Sequence, residues 1–165
     1  RSSLDSFQKR RHIGLVPSTP DYADQLRRAD LRVTRPRLAV LEAVYARPHA
    51  DTETIFGAVR AMLPDVSRQA VYDVLAALTT AGLVRKIQPS GSVARYESRV
   101  GDNHHHIVCR SCGVIADVDC AVGDAPCLTP SDDGTLDGFV LDEAEVIYWG
   151  LCPDCSISHV SRSQP

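Results

Sequence analysis

Two Cys-x-x-Cys pairs, Cys109/Cys112 and Cys152/Cys155, bracket the C-terminal part of this chain. Each pair puts two soft sulfurs on one tight turn, and two such turns brought together complete the tetrahedral site of a structural Zn(II). Zinc held there would fix both ends of a small domain and supply much of its folding energy. A redox-active dithiol and unligated core thiols are the competing readings. The first is weakened because no thioredoxin-like βαβ pattern surrounds either pair. His104-His105-His106 directly precedes the first pair. In an extended strand His104 and His106 share a face and His105 lies opposite. That two-imidazole platform, completed by carboxylates, suits Fe(II), Mn(II) or Zn(II). One segment thus touches a closed metal site and an open, exchangeable one, as a metal sensor would.

The chain has 165 residues, enough for one ordinary domain or two small ones. No apolar run is long enough to span a bilayer. Residues 1–19 carry a basic cluster, Lys9, Arg10 and Arg11, without the apolar core or cleavage site of a secretory signal. We expect a cytoplasmic protein whose cysteines serve as ligands or redox thiols and not as a disulfide framework. The net charge of −3 conceals an asymmetry: residues 1–100 hold 16 Lys/Arg against 10 Asp/Glu, residues 101–165 only 2 against 11. A polyanion-binding surface is therefore expected in the first part, with two solvated faces of opposite sign as the alternative.

The first hundred residues read as four helices and a hairpin. Helices are expected from Pro20-Asp21, from Thr34-Arg35-Pro36 with threonine as cap, from Asp51, and from Ser67. Apolar residues recur at three and four: Leu38, Leu41 and Tyr45; Ile55, Phe56, Val59 and Met62; Val71, Val74, Leu75 and Leu78. Pro48, Pro64 and Gly82 supply the stops. Two β-rich runs, 83–87 and 93–97, flank Pro89-Ser90-Gly91-Ser92, a hairpin turn. Packed helices with a basic two-stranded ribbon describe a winged helix-turn-helix. On the fourth helix Arg68, Gln69, Tyr72, Asp73 and Ala76 lie opposite the apolar stripe, in a row that fits a major groove. Arg68 and Gln69 can donate to base edges or phosphates, Tyr72 can pack on a thymine methyl, and Arg85, Lys86 and Arg95 would hold phosphates. A plain helical bundle would explain the helices but not the basic hairpin. Strands are also expected at 104–109, 114–118 and 145–151, in an antiparallel sheet, and the segment 121–139 reads as a loop.

Three segments resemble the signatures of the ferric uptake regulator (Fur) family: Leu31-Arg32-Val33-Thr34-Arg35-Pro36-Arg37, Ala70-Val71-Tyr72 with Leu75, and the run from His104 to Gly113. They occur in family order and spacing across residues 20–156. The run Gln69-Ala70-Val71-Tyr72-Asp73-Val74-Leu75 resembles the actinobacterial Fur-type regulators of catalase-peroxidase genes. The resemblance implies an α+β homodimeric repressor: an N-terminal winged helix-turn-helix domain and a C-terminal α/β dimerisation domain with the three-stranded antiparallel sheet and four-cysteine zinc site. It implies that Arg32 reaches the minor groove, with Arg35 beside it, and that Tyr72 contacts bases. The family's usual arginine after that tyrosine is Asp73 here. It further implies a regulatory metal held by His49, Glu97, His104, His106 and Asp117. A third metal site of the family matches Asn103, His105, Asp124 and Ala144, and so lacks good donors unless Glu143 or Glu145 substitutes. Aspartate at position 117 resembles the peroxide-sensing branch, in which peroxide reacting at bound Fe(II) would oxidise His49 or His106. Cys120 and Cys127 lie outside the zinc pairs and read as inert or peroxide-reactive thiols.

The expected organisation is thus a basic arm at 1–19, a winged-helix domain at 20–99, a hinge at 100–103, a metal-binding dimerisation domain at 104–156 and a tail at 157–165. The expected function is an Fe(II)-dependent repressor, not an enzyme, acting on a palindromic AT-rich DNA operator without membrane attachment. It would control oxidative-stress or iron-homeostasis genes, with Zn(II) as the structural ion. Within the family, response to zinc or manganese is the alternative. Outside it, His104, His106 and Asp117 could hold a hydrolytic zinc, or the chain could be a zinc-ribbon adaptor that binds no DNA.

Overall fold

The computed structural model describes residues 20–121, 138–140 and 144–162. The N-terminal unit runs α1 (Tyr22–Arg28), α2 (Arg35–Ala46), β1 (Ala50–Asp51), α3 (Thr52–Met62), α4 (Arg68–Thr80), β2 (Arg85–Ile87) and β3 (Arg95–Glu97). Each helix begins where a side chain can accept an otherwise orphaned amide. Asp21, Thr34, Asp51 and Ser67 take the N–H of the residue three ahead at 3.0, 3.4, 2.8 and 3.1 Å. Each such cap is worth about 1 kcal/mol.

Two helices end alike. After α4, Gly82 at φ 67° donates to Thr79 O and Leu83 to Leu78 O, both at 3.0 Å. This is the paired closure that a left-handed residue permits, and it turns the chain into the wing. Asp30 does the same after α1 at φ 55°. Leu26, Leu41, Val44, Ile55, Val59, Val71, Leu75 and Leu78, all fully buried, pack the helices together. Met62, expected in that core, is 38% exposed at the end of α3.

The wing contains a strand that the sequence does not announce. β1 is only two residues long, yet it pairs antiparallel with β3, Ala50 opposite Tyr96 and Asp51 opposite Arg95. The sheet order is β1-β3-β2, and β2 and β3 are each shorter than the runs 83–87 and 93–97. The pairing fixes the loop ahead of β1: His49 donates its amide to Tyr96 O at 2.9 Å, with φ at 61°. A left-handed histidine is an uncommon conformation, held here by the ladder on one side and by side-chain contacts on the other.

The second unit holds β4 (His104–Cys109), β5 (Ile115–Asp119), β6 (Ile147–Gly150) and α5 (Pro153–Arg162). Three strands form, as expected, in the order β5-β4-β6. β5 is antiparallel to β4, but β6 runs parallel to it, His106 beside Ile147 and Cys109 beside Gly150. The sheet is therefore mixed, where the sequence suggested antiparallel pairing throughout. The cysteines explain the difference. Each pair follows the C-terminal end of its strand, so only parallel strands bring the two pairs to the same edge. Helix α5 was not expected, and it runs through position 156, where the domain was expected to give way to a tail. The basic arm, Cys127, Asp124, Glu143 and most of the 121–139 segment lie outside the described residues.

Candidate metal centres and nucleic-acid face

The four cysteines meet at the end of β4 and β6. Their sulfurs all lie within 4.8 Å of one another, and Cys112 Sγ is 3.7 Å from Cys152 Sγ. A tetrahedron with Zn–S bonds of about 2.3 Å has edges of about 3.8 Å. The donor set and its spacing fit Zn(II). Gly113 at φ 74° turns the chain, donating to Cys109 O at 2.9 Å, while Arg110 N donates to Gly150 O at 2.8 Å. The amides of Cys112 and Cys152 hold the Cys109 thiol down at about 6, the latter donating to its sulfur at 3.3 Å. The Cys155 thiol is lowered by the Ser111 hydroxyl. Hydrogen bonding to Cys152 and Cys112 outweighs this and pushes it up to about 12. Cys109 is thus the readier of the two to act as a thiolate, while Cys155 would lose its proton to solvent as a cation bound.

The second cluster straddles the two units. Glu97, at the end of the wing, and His49, ahead of β1, come from the first; His106 and Asp117 are direct cross-strand partners on β4 and β5. Their ligand atoms also lie within 4.8 Å of one another. Glu97 Oε2 is 3.0 Å from His49 Nε2 and 3.1 Å from His106 Nε2. Asp117 Oδ1 is 2.8 Å from His49 Nε2 and 3.7 Å from His106 Nε2. Ligand bonds of about 2.0–2.1 Å in a tetrahedron place donors about 3.3–3.4 Å apart. Two imidazole nitrogens and two carboxylate oxygens converging at this spacing fit a divalent cation of the Fe(II), Mn(II) or Zn(II) class. His104 stands one group back: its Nε2 lies 3.2 Å from the other oxygen of Glu97, and its Nδ1 2.8 Å from Asp102.

The charges are strongly coupled. Burial by itself would raise Glu97, but hydrogen bonds from His106 and His49 outweigh it and hold the carboxyl down at about 2. Burial would lower His49, and Glu97 and Asp117 together more than reverse that, so its pKa is raised. Asp102 and Arg99, which flank the cluster, were missed in the sequence. Asp102 was discoverable, because it lies two residues before His104 and so on the same face of an extended chain.

Of the residues expected to meet DNA, Tyr72 is 44% exposed on α4, and Lys86 is exposed on the wing. Arg32 and Arg35 are exposed at the start of α2. Arg68 is also exposed, but it pairs with Glu53 and lies 4.8 Å over the Phe56 ring. Gln69 donates to Asp73 Oδ1 at 2.8 Å. Arg85 is half-buried on the wing. Arg95 is turned inward, its Nη1 donating to His49 O at 3.2 Å, so it braces the loop that carries His49. Of the third-site positions, His105 is buried against Tyr148, with ring centroids 6.1 Å apart. Cys120, one of the two thiols outside the zinc pairs, is half-buried.

A capped helical head with a wing, followed by a sheet that gathers four cysteines and shares a donor cluster with the wing, defines a winged-helix protein with two candidate metal sites. The sequence matches the Ferric uptake regulator family over residues 28–124. It is 86% identical over 150 residues to the transcriptional regulator FurA of Mycobacterium tuberculosis, covering 91% of this chain and all of that one. It is 70% identical over 129 residues to ferric uptake regulation protein 1 of Mycolicibacterium fortuitum, covering 78% of each chain. The fold is that of the ferric uptake regulator of Pseudomonas aeruginosa solved with manganese: TM-score 0.59, 24% identity, 81% of this chain and 99% of that one. It is likewise that of the Campylobacter jejuni peroxide stress regulator: TM-score 0.56, 22% identity, 80% and 94%. The chain belongs to the ferric uptake regulator family.

Proposed function

We propose that this protein is a dimeric, metal-dependent transcriptional repressor whose regulatory cation is Fe(II), with Zn(II) in the cysteine site. Its targets on this reading are oxidative-stress genes of the catalase-peroxidase type, iron-homeostasis genes, or both. One observation carries the proposal: the His49–Glu97–His106–Asp117 cluster draws two donors from the DNA-reading unit and two from the sheet. His49 and Glu97 from one unit and His106 and Asp117 from the other would hold a divalent cation together. His49 and Glu97 then fix the wing against β4, and Arg95 carries that constraint into the loop between α2 and α3. The two α4 helices of a dimer are held at one separation, which sets the spacing of palindromic half-sites. Occupancy raises DNA affinity only by as much as the cation prefers the DNA-competent arrangement. Arg32, Arg35, Arg68 and Lys86 supply phosphate contacts, so affinity falls steeply with salt. A regulator that acts on the chromosome works in the cytoplasm, and no described helix is long and apolar enough to cross a membrane.

The test is operator binding by fluorescence anisotropy with Fe(II), with a chelator, and with His49→Ala. Chelation and the substitution should each weaken binding at least tenfold, by about 1.4 kcal/mol or more. Unchanged affinity in both would sink the reading. Genomic footprinting with and without iron and peroxide then separates the two target classes.

A further inference from the structure

His104 was expected among the metal donors, yet it stands behind Glu97 in a chain of contacts that leads away from the cluster. Its side chain is wholly buried, whereas Asp102, 2.8 Å from its Nδ1, is 39% exposed. Fixing one ring nitrogen on a carboxylate sets which nitrogen, and which ring angle, is presented on the other side. Here Nε2 is presented to Glu97 Oε1 at 3.2 Å.

Asp102 is itself held. Arg99 Nε donates to Asp102 Oδ2, and Nη2 of the same guanidinium donates to Asp119 Oδ1. Its remaining nitrogen, Nη1, lies 3.8 Å from Asp117 Oδ2, while Asp117 Oδ1 faces His49 in the cluster. One planar fork is therefore shared among three carboxylates, two on β5 and one on the segment that joins the wing to β4. Asp119 lies opposite His104 in the strand register. Three aspartates so close together would repel one another without a cation among them. A lysine could supply the charge but not three nitrogens in fixed directions.

We propose that Arg99 is the positioning residue of the regulatory metal centre. It sets the His104 ring through Asp102 and aims the Asp117 carboxylate through its rear oxygen, without touching the metal. This rests on the reading of the His49–Glu97–His106–Asp117 cluster as a divalent-cation site. Arg99 also sits on the connection between the two units, so it aligns donors from the sheet with those of the wing.

The experiment uses the full chain with its cysteine site zinc-loaded, and Co(II) as the probe. Affinity and the visible d–d spectrum are recorded for wild type, Arg99→Ala, Arg99→Lys and Asp102→Asn, with circular dichroism and Tm of the cobalt-free proteins alongside. Arg99→Ala should weaken Co(II) by roughly 10–100-fold, the range typical of groups that orient metal ligands. Its d–d bands should change in position or intensity, with the cobalt-free fold intact. Arg99→Lys should recover only a small part of the loss. Asp102→Asn should also weaken binding, and combining it with Arg99→Ala should cost less than the sum of the two. Wild-type affinity and spectrum in Arg99→Ala, or full rescue by lysine, overturns the proposal. If wild type binds no Co(II) at this site, the metal reading itself has failed instead. Should Arg99→Ala not fold, Asp102→Asn decides: unchanged affinity and spectrum overturn the proposal, and loss with an altered spectrum supports it.

Discussion

Glu97 Oε2 and His106 Nε2 lie 3.1 Å apart, each side chain about 1% exposed, one ending the wing and the other in the middle strand of the second sheet. Among the described residues no backbone ladder joins the two sheets. Their alignment therefore depends on this buried junction and on the connecting segment. Glu97→Ala should lower divalent-cation affinity by more than the roughly 10–100-fold that loss of an orienting partner costs, because a donor itself is removed. His106→Ala should do the same. Isothermal titration with Mn(II) measures both, and near-wild-type affinity in either variant would show that the cluster is not where the cation sits.

The same junction gives the cation-free protein a two-sided pH dependence. Glu97 is held at about 2 against an ordinary 4.5. Its contribution to stability is therefore complete above about 4.5 and lost as pH falls toward 2. His49 is raised above 6.5, so its contribution is complete below that value and lost as pH rises through its folded pKa. Both describe largely one interaction, on the order of 2–3 kcal/mol, and should not be added. Urea unfolding of the zinc-loaded, otherwise cation-free protein should show this junction contributing most between about pH 4.5 and 6.5. The difference between the wild-type and Glu97→Gln curves isolates it from acid release of zinc. A pH-independent difference between them would refute the assignment.

The cysteine site should behave as part of the fold. Apparent Zn(II) binding free energies of about 10–16 kcal/mol in small structural sites exceed what a sheet of three short strands can supply alone. Cys112→Ser should therefore melt β4–β6 while leaving the helical unit folded around its own buried core. Hydrogen exchange resolves the two: protection is expected to vanish at 104–119 and 147–150 and to persist in α2 and α4. Uniform protection in the variant would mean that the thiolates do not hold this unit together.

Where the sequence was legible, the reason is local. Thr34, Asp51 and Ser67 announce helices because a short acceptor three residues before an amide acts within one turn. His106 was legible beside His104 because alternation along a strand puts both on one face, whereas Asp117 was reached only through the resemblance to the family. What the sequence hid is what depends on non-local pairing. The two residues of β1 have no pattern of their own, and only their ladder to Tyr96 places His49 beside Glu97. Parallel pairing of β6 is dictated by where the second cysteine pair must arrive, a constraint that period-two alternation does not carry. Arg95 looked like a phosphate ligand because charge on a wing normally faces outward, but the carbonyl of left-handed His49 turns it inward.

Asp73 stands where the family's usual arginine would be, on the exposed row of α4, and its contact with Gln69 gives it a use there. The Gln69 amide donates one N–H to Asp73 at 2.8 Å across a single helical turn. Its second N–H and its carbonyl remain free in direction to meet N7 and N6 of an adenine, the bidentate pattern that glutamine reads in the major groove. A carboxylate this close to DNA costs nonspecific affinity through phosphate repulsion, and the return is a fixed amide. Asp73→Ala should therefore bind random DNA slightly better while losing discrimination at one position per half-site, by about 1–3 kcal/mol. Gln69→Ala should lose the same discrimination, and the double variant should lose little more, since the two act as a unit. Selection from randomised operators at fixed salt reads all three. An Asp73→Ala protein that selects the wild-type sequence with undiminished preference would show that the pair plays no part in reading DNA.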